Sequence, residues 1–153
     1  IDDGLAELAR TRPRRPLPLA VCWGDAKISN CVLEGDEVRA LLDWELCGLS
    51  DPHEDLAFWL LLDWGQWHGL KVPRLPHLPS ARATVAHYEA CAGRAMPDVL
   101  WWFRFGMVRL AMFYHRFLER RVDAGRMAAD ADLVAANPMC PLIYEALDLD
   151  ELP

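Results

Sequence analysis

Three oxygen-bearing side chains, set at two intervals, carry the chemistry of this 153-residue chain. In Trp23-Gly-Asp-Ala-Lys-Ile-Ser-Asn30 the carboxylate of Asp25 precedes the carboxamide of Asn30 by five residues. A second carboxylate, Asp43, follows thirteen residues later in Asp43-Trp-Glu45. Hard oxygen donors of this kind suit Mg²⁺, which takes one or two protein carboxylates and completes its shell with water and substrate phosphates. Phosphoryl transfer uses this set of parts, because its loose transition state is catalysed mostly by positioning and charge stabilisation. One carboxylate holds the metal that bridges the nucleotide phosphates, and a neutral amide oxygen binds a second metal without adding negative charge. Another carboxylate, free of metal, orients the attacking hydroxyl and accepts its proton. Lys27, two residues after Asp25, is placed to reach the transferred phosphoryl group as a point charge. Taken singly, Asp25 and Asn30 read as turn residues and Asp43 as a loop cap. The two intervals around a single hairpin set them apart.

For these groups to meet, the chain between them must fold back on itself. Leu17 to Cys22 reads as a short buried strand, and Cys31–Glu34 and Glu37–Leu42 as two more, joined by Gly35-Asp36. Gly in the first position of a two-residue loop suits a type II′ hairpin. Pairing Glu34 with Glu37 then sets Cys31 opposite Ala40 and Asn30 beside Leu41, which brings Asn30 and Asp43 together at the open end. Downstream the chain turns helical. Asp51-Pro52-His53-Glu54 is a helix start, with Asp as N-cap, Pro at the first helical position and Glu at the third. That helix runs to about Trp64 and is apolar nearly all round, hence buried. A loop with three prolines follows over 65–79, then helices near 80–92, 98–122, 127–136 and 139–147. Residues 1–10 read as the end of a helix, closed by the solvated Arg/Pro connector Thr11–Pro16. The expected class is α+β and mostly helical.

The segments Val21-Cys-Trp-Gly-Asp-Ala-Lys-Ile-Ser-Asn30, Leu41-Leu-Asp-Trp-Glu45 and Gly48-Leu-Ser-Asp-Pro-His-Glu-Asp-Leu-Ala57 together resemble the aminoglycoside phosphotransferase-like family, which has the protein-kinase-like fold. The resemblance covers about residues 19–62. It implies Asp25 as catalytic base, Asn30 and Asp43 as metal ligands, and Asp55 as a brace that holds the catalytic loop through backbone hydrogen bonds. Lys27 matches a lysine of many protein kinases, although the phosphotransferases vary there. Trp23 stands where a His is usual, so any role of that His is expected to be lost, and the role of Glu45 is left open. The resemblance also implies that residues 1–153 are a single partial domain, the C-terminal lobe. In it, catalytic and metal-binding loops over 22–45 join a helical, substrate-side region over 51–149. The nucleotide-binding N-terminal lobe is absent, and no G-x-G-x-x-G occurs in the chain. The expected activity is Mg²⁺-dependent transfer of the γ-phosphoryl of ATP, or GTP, to a hydroxyl of a small molecule, with the fragment alone inactive. A non-catalytic remnant or binding module that keeps the fold is the alternative reading.

Composition sets the boundaries. Net charge is −7, from 16 Lys and Arg against 23 Asp and Glu, which argues against a general nucleic-acid partner. The same acidity is compatible with a cationic acceptor and equally with solvated helix faces. Five scattered cysteines without a C-x-x-C pair point to a reducing, cytoplasmic setting. The apolar stretch Val99 to Leu118 carries Arg104, Arg109 and Arg116, so a buried helix is expected there and no membrane span. Of the aromatic residues, Trp64, Trp67 and His68, near the proline-rich loop, are the candidates for a substrate pocket. The other aromatic side chains read as core.

Overall fold

The computed structural model describes residues 1–14 and 17–153, so Arg15 and Pro16 of the Arg/Pro connector lie outside the described residues. The element order is α1 (Asp2–Thr11), β1 (Ala20–Cys22), a 3₁₀ turn (Ile28–Asn30), β2 (Cys31–Glu34), β3 (Glu37–Leu41), β4 (Gly48–Ser50), α2 (His53–Trp64), a π turn (Gly65–Gly69), α3 (Ala81–Ala92), α4 (Val99–Asp123) and α5 (Met139–Leu147). The class is α+β and mostly helical, with two small antiparallel sheets, β1–β4 and β2–β3. The chain gathers into two compact units: residues 1–12 with 104–150, and residues 13–103 with 151–153.

The second of these units holds the motif-bearing loops. β1 and β4 pair with Ala20 opposite Ser50 and Cys22 opposite Gly48, so the excursion over 23–47 leaves and returns at one clasp. β4 has only three residues and no alternation of apolar and polar side chains, which is why sequence pattern does not announce it. Inside the excursion, β2 and β3 form the expected hairpin, and Gly35 at φ +58° supplies the left-handed residue its turn needs. The register differs from the simple count. Glu34 pairs with Glu37, but a bulge leaves Arg39 unpaired, and Cys31 faces Leu41 rather than Ala40. The Arg39 guanidinium lies 2.6 Å from the Glu34 carboxylate and 2.8 Å from that of Glu37, offsetting two like charges set directly opposite. The one-residue shift places Asn30 beside Leu42, and the Leu42 N–H donates to the Asn30 carbonyl at 2.8 Å. Contrary to the expectation of buried strands, the hairpin is largely exposed, with Val32, Leu33, Val38 and Leu41 all open to solvent.

Helix α2 is the spine of this unit. Leu56, Ala57, Phe58, Leu60, Leu61 and Trp64 are all buried, as an all-round apolar sequence requires. Its start departs by one residue from the expected cap: the helix begins at His53 with Pro52 before it. Asp51 still does the capping work. Its carboxylate accepts from the His53 N–H at 3.1 Å and the His53 ring Nδ1 at 2.6 Å, and from the Leu17 N–H at 2.8 Å. Helix α3 is capped by Ser80, whose hydroxyl accepts from the Ala83 N–H, and ends at Gly93 in the left-handed region.

In the other unit, α1 meets α5, and Gly4 permits the approach, since a Cβ there would lie 2.9 Å from Val108 and 3.1 Å from Ile143. Arg104 donates to the carbonyls of Ala146 and Leu149 at the end of α5, and Arg109 lies over the Phe113 ring. The arginines that argue against a membrane span are thus spent on protein partners. Among the described residues no helix is long and apolar enough to cross a membrane. The expected helix over 127–136 is a series of turns. Asp132 accepts with its side chain from the N–H groups of Val134 and Ala135, a local bond that competes with helix continuation.

Asp51 carries a stability prediction. Burial alone would raise its carboxyl pKa, but the N–H groups of His53 and Leu17 outweigh that and hold it below the ordinary 3.8. A depressed carboxyl contributes stability that is complete above its unfolded pKa and is lost as pH falls through the folded one. Asp51→Ala should therefore cost about 3 kcal/mol in urea unfolding at pH 7. The gap from the parent chain should narrow as the pH is taken below 3.8.

Candidate active site

The loop after β1 is built around Asp55. One carboxylate oxygen accepts from the Trp23 N–H at 2.6 Å and the other from the Gly24 N–H at 2.8 Å. These are charge-assisted bonds from the first turn of α2 to consecutive backbone amides, and they fix the entry of the loop that carries Asp25. Gly24 sits at φ +84°, and a Cβ there would lie 2.3 Å from the Leu46 carbonyl oxygen, so neither the conformation nor the space admits another residue. Beneath the loop Cys22 is buried. Burial, with the charges of Asp55 and Glu54 nearby, pushes its thiol up to about 11, so it stays protonated and donates to the Asp51 carbonyl.

Asp25 follows, with its side chain mostly covered and held from two sides. Lys27 Nζ lies 2.5 Å from Oδ2, and Asn30 Nδ2 donates to the same oxygen at 2.9 Å and to the Asp25 carbonyl at 3.2 Å. Asn30 is buried at the end of the 3₁₀ turn. With its amide nitrogen committed to Asp25, its amide oxygen is the group left for a cation. The bond from Leu42 to the Asn30 carbonyl ties the next segment in, and Asp43 follows at φ +60°. That left-handed conformation costs a non-glycine residue about 1 kcal/mol and is best tolerated by Asp and Asn. The Asp43 side chain is exposed, and no hydrogen bond or ion pair among the described residues engages it.

Three of the expected positions, Asp25, Lys27 and Asn30, are therefore in direct contact. Asp43 is joined to them through the backbone of Leu42, and Asp55 braces the loop from below. Among the described residues no cluster of three or more His, Cys, Asp or Glu side chains could cage a metal. The set Asn30 and Asp43 nevertheless fits Mg²⁺, which needs only one or two protein oxygens beside water and phosphate.

Trp23 was expected only to lose the role of the His usual at its position, and its own bonding was not foreseen. Its indole N–H donates to the Leu42 carbonyl at 2.7 Å, and its ring lies 5.9 Å from that of Trp44. A buried Trp needs a partner for its N–H, and that requirement was the available signal.

Trp64, Trp67 and His68 lie at the opposite end of α2. Trp64 is buried, stacked on His68 at 4.6 Å and edge-on to Phe103 at 5.5 Å, while Trp67 meets His68 edge-on. A cleft of about 150 Å³ opens here, lined by Trp64 and Trp67 with Asp63, Arg74 and Ser80 but not by His68. Arg74 closes one side, donating to Asp63 at 2.9 Å and to the carbonyls of Leu78 and Pro79.

Comparison with known proteins agrees with this geometry. Residues 1–97, well over half of the chain, match the family model of the phosphotransferase enzyme family (APH). The chain belongs to that family. Among solved structures it is similar to a "putative aminoglycoside phosphotransferase" from Ralstonia eutropha JMP134, at a TM-score of 0.71 and 23% identity. The match covers 95% of this chain and 48% of the other, so the chain spans about half the length of the protein it resembles.

The brace can be tested by itself. Asp55→Ala strands two amide donors and should destabilise the chain by about 3 kcal/mol. Asp55→Asn, which keeps one oxygen acceptor, should lose about half as much. Amide hydrogen exchange at Trp23 and Gly24 should quicken in the same order.

Proposed function

We propose that the chain is the catalytic, C-terminal half of a small-molecule kinase that transfers the γ-phosphoryl group of ATP or GTP to a hydroxyl. The observation that supports this most directly is the seating of Asp25. An amide and an ammonium group hold its carboxylate at the tip of a loop whose backbone is fixed by Asp55. Asp25 accepts the proton of the acceptor hydroxyl as its oxygen attacks the γ-phosphorus. The bond to the bridging oxygen breaks, and the nucleoside diphosphate leaves. Lys27, paired with Asp25 here, is within reach of the same region and supplies positive charge to the transferred group. Asn30 and Asp43 would hold Mg²⁺, which when bound neutralises the nucleotide phosphates.

The nucleotide's other contacts belong to an N-terminal lobe outside this chain. The exposed apolar residues Val21, Val32, Leu33, Val38 and Leu49 of the β strands are the surface on which we seat it. On the acceptor side, Trp64, Trp67 and His68 are the candidates, with the cleft beside them open to a cationic or aromatic group through Asp63 and the indoles. A second reading is a binding module that keeps the fold without turnover.

Full-length protein separates the two. Asp25→Asn should lower kcat by at least about 10³-fold, given the contribution of general-base catalysis, with nucleotide affinity changed less than about twofold. Turnover that survives the substitution discards the role given to Asp25, and a parent protein that transfers no phosphate favours the binding module.

A further inference from the structure

Leu42 is held at both of its backbone polar groups. Its N–H donates to the Asn30 carbonyl at 2.8 Å, and its carbonyl accepts the Trp23 indole N–H at 2.7 Å. That carbonyl belongs to the peptide unit joining Leu42 to Asp43, and rotation of the unit against the Asp43 Cα is the φ angle found at +60°. Asp43 is one of only two non-glycine residues in the left-handed region among those described. Nothing engages its side chain there among the described residues, so its backbone conformation has to be maintained through the flanking peptides. Trp23 is suited to that task. It is 8% exposed, its own N–H is fixed on Asp55 at 2.6 Å, and its ring is backed by Trp44.

We infer that Trp23 is a positioning residue for the cation site, its indole N–H locking the Leu42–Asp43 peptide so that Asp43 keeps the backbone conformation that sets the direction of its carboxylate. The inference rests on the reading of Asn30 and Asp43 as Mg²⁺ ligands. One residue thereby joins three segments: α2 through its backbone N–H on Asp55, the catalytic loop of which it is part, and the metal loop through its indole on Leu42. Without this donor the carbonyl turns to water and the peptide flips. Asp43 then relaxes to negative φ, and the direction of its carboxylate changes.

The test compares full-length parent protein with Trp23→Phe, which keeps an aromatic ring but no donor, and Trp23→His, which keeps a ring N–H. Two readouts are taken. In hydrogen exchange, the Leu42 and Cys47 amides, which bond to Asn30 and Trp44, should exchange about tenfold faster in Trp23→Phe, as loss of one ordinary hydrogen bond allows. Trp23→His should recover part of that protection. In kinetics, the Mg²⁺ concentration for half-maximal turnover should rise about fivefold to tenfold in Trp23→Phe, while kcat at saturating Mg²⁺ falls less than about threefold. Unchanged exchange at Leu42 in a folded Trp23→Phe protein overturns the inference. So does a variant that loses stability and turnover together at an unaltered Mg²⁺ dependence, since that is what a purely structural Trp would give. A parent protein that turns over nothing counts against the phosphotransferase reading instead, and the exchange readout still decides the role of Trp23.

Discussion

The contact on which the candidate site depends is the pair of hydrogen bonds from Asp55 to the consecutive N–H groups of Trp23 and Gly24. Two adjacent amides can point at one carboxylate only if the chain bends sharply between them, and Gly24 at φ +84° provides the bend. The carboxylate belongs to the first turn of a buried helix, so the loop inherits the rigidity of α2. Asp51, two residues before that helix, holds the segment ahead of β1 in the same way through Leu17. The approach to the loop and its entry are thus fixed to one helix end, and Asp25 emerges from a frame with little freedom left.

Beyond that frame the site is held by backbone more than by side chains. The segments that carry Asn30 and Asp43 are joined by Leu42 N–H to Asn30 carbonyl, the last rung of a hairpin that is otherwise solvent-exposed. An exposed two-stranded hairpin is marginal by itself. Its open end is therefore stabilised by what it touches, namely Asn30 packed under the loop and the Trp23 indole on Leu42. The weak end of the hairpin, at the turn, carries the Arg39 bridge to Glu34 and Glu37, a surface interaction of small net worth.

How much of this was legible follows from the range of the interactions involved. The residue types and intervals of Asp25, Asn30 and Asp43, the hairpin turn at Gly35 and the buried character of α2 are local properties, readable from composition and period. The register was not, because the bulge leaves Arg39 unpaired, an extra residue that simple counting from the turn ignores. β4 escaped because three residues carry no period, and its pairing with β1 spans the whole excursion between them. The turns over 127–136 look helical by composition, but Asp132 spends its carboxylate on local amides. The Trp23–Leu42 bond, across 19 residues, could be anticipated only as a demand: a buried indole N–H must find an acceptor somewhere.

The length of α2 sets the braced loop and the aromatic cleft apart. Asp55 and Trp64 are nine residues apart on a straight helix, so the brace of the catalytic loop and the aromatic cleft are separated by about 14 Å along the axis. Helices of this kind do not shorten, so the braced loop and the cleft keep this separation. Trp64 is needed regardless of any ligand, because its ring is buried between His68 and Phe103 in the core. Of the three aromatic candidates it is therefore the one whose packing role is already accounted for. Trp67, only partly buried and on the cleft wall, has no such place in the core.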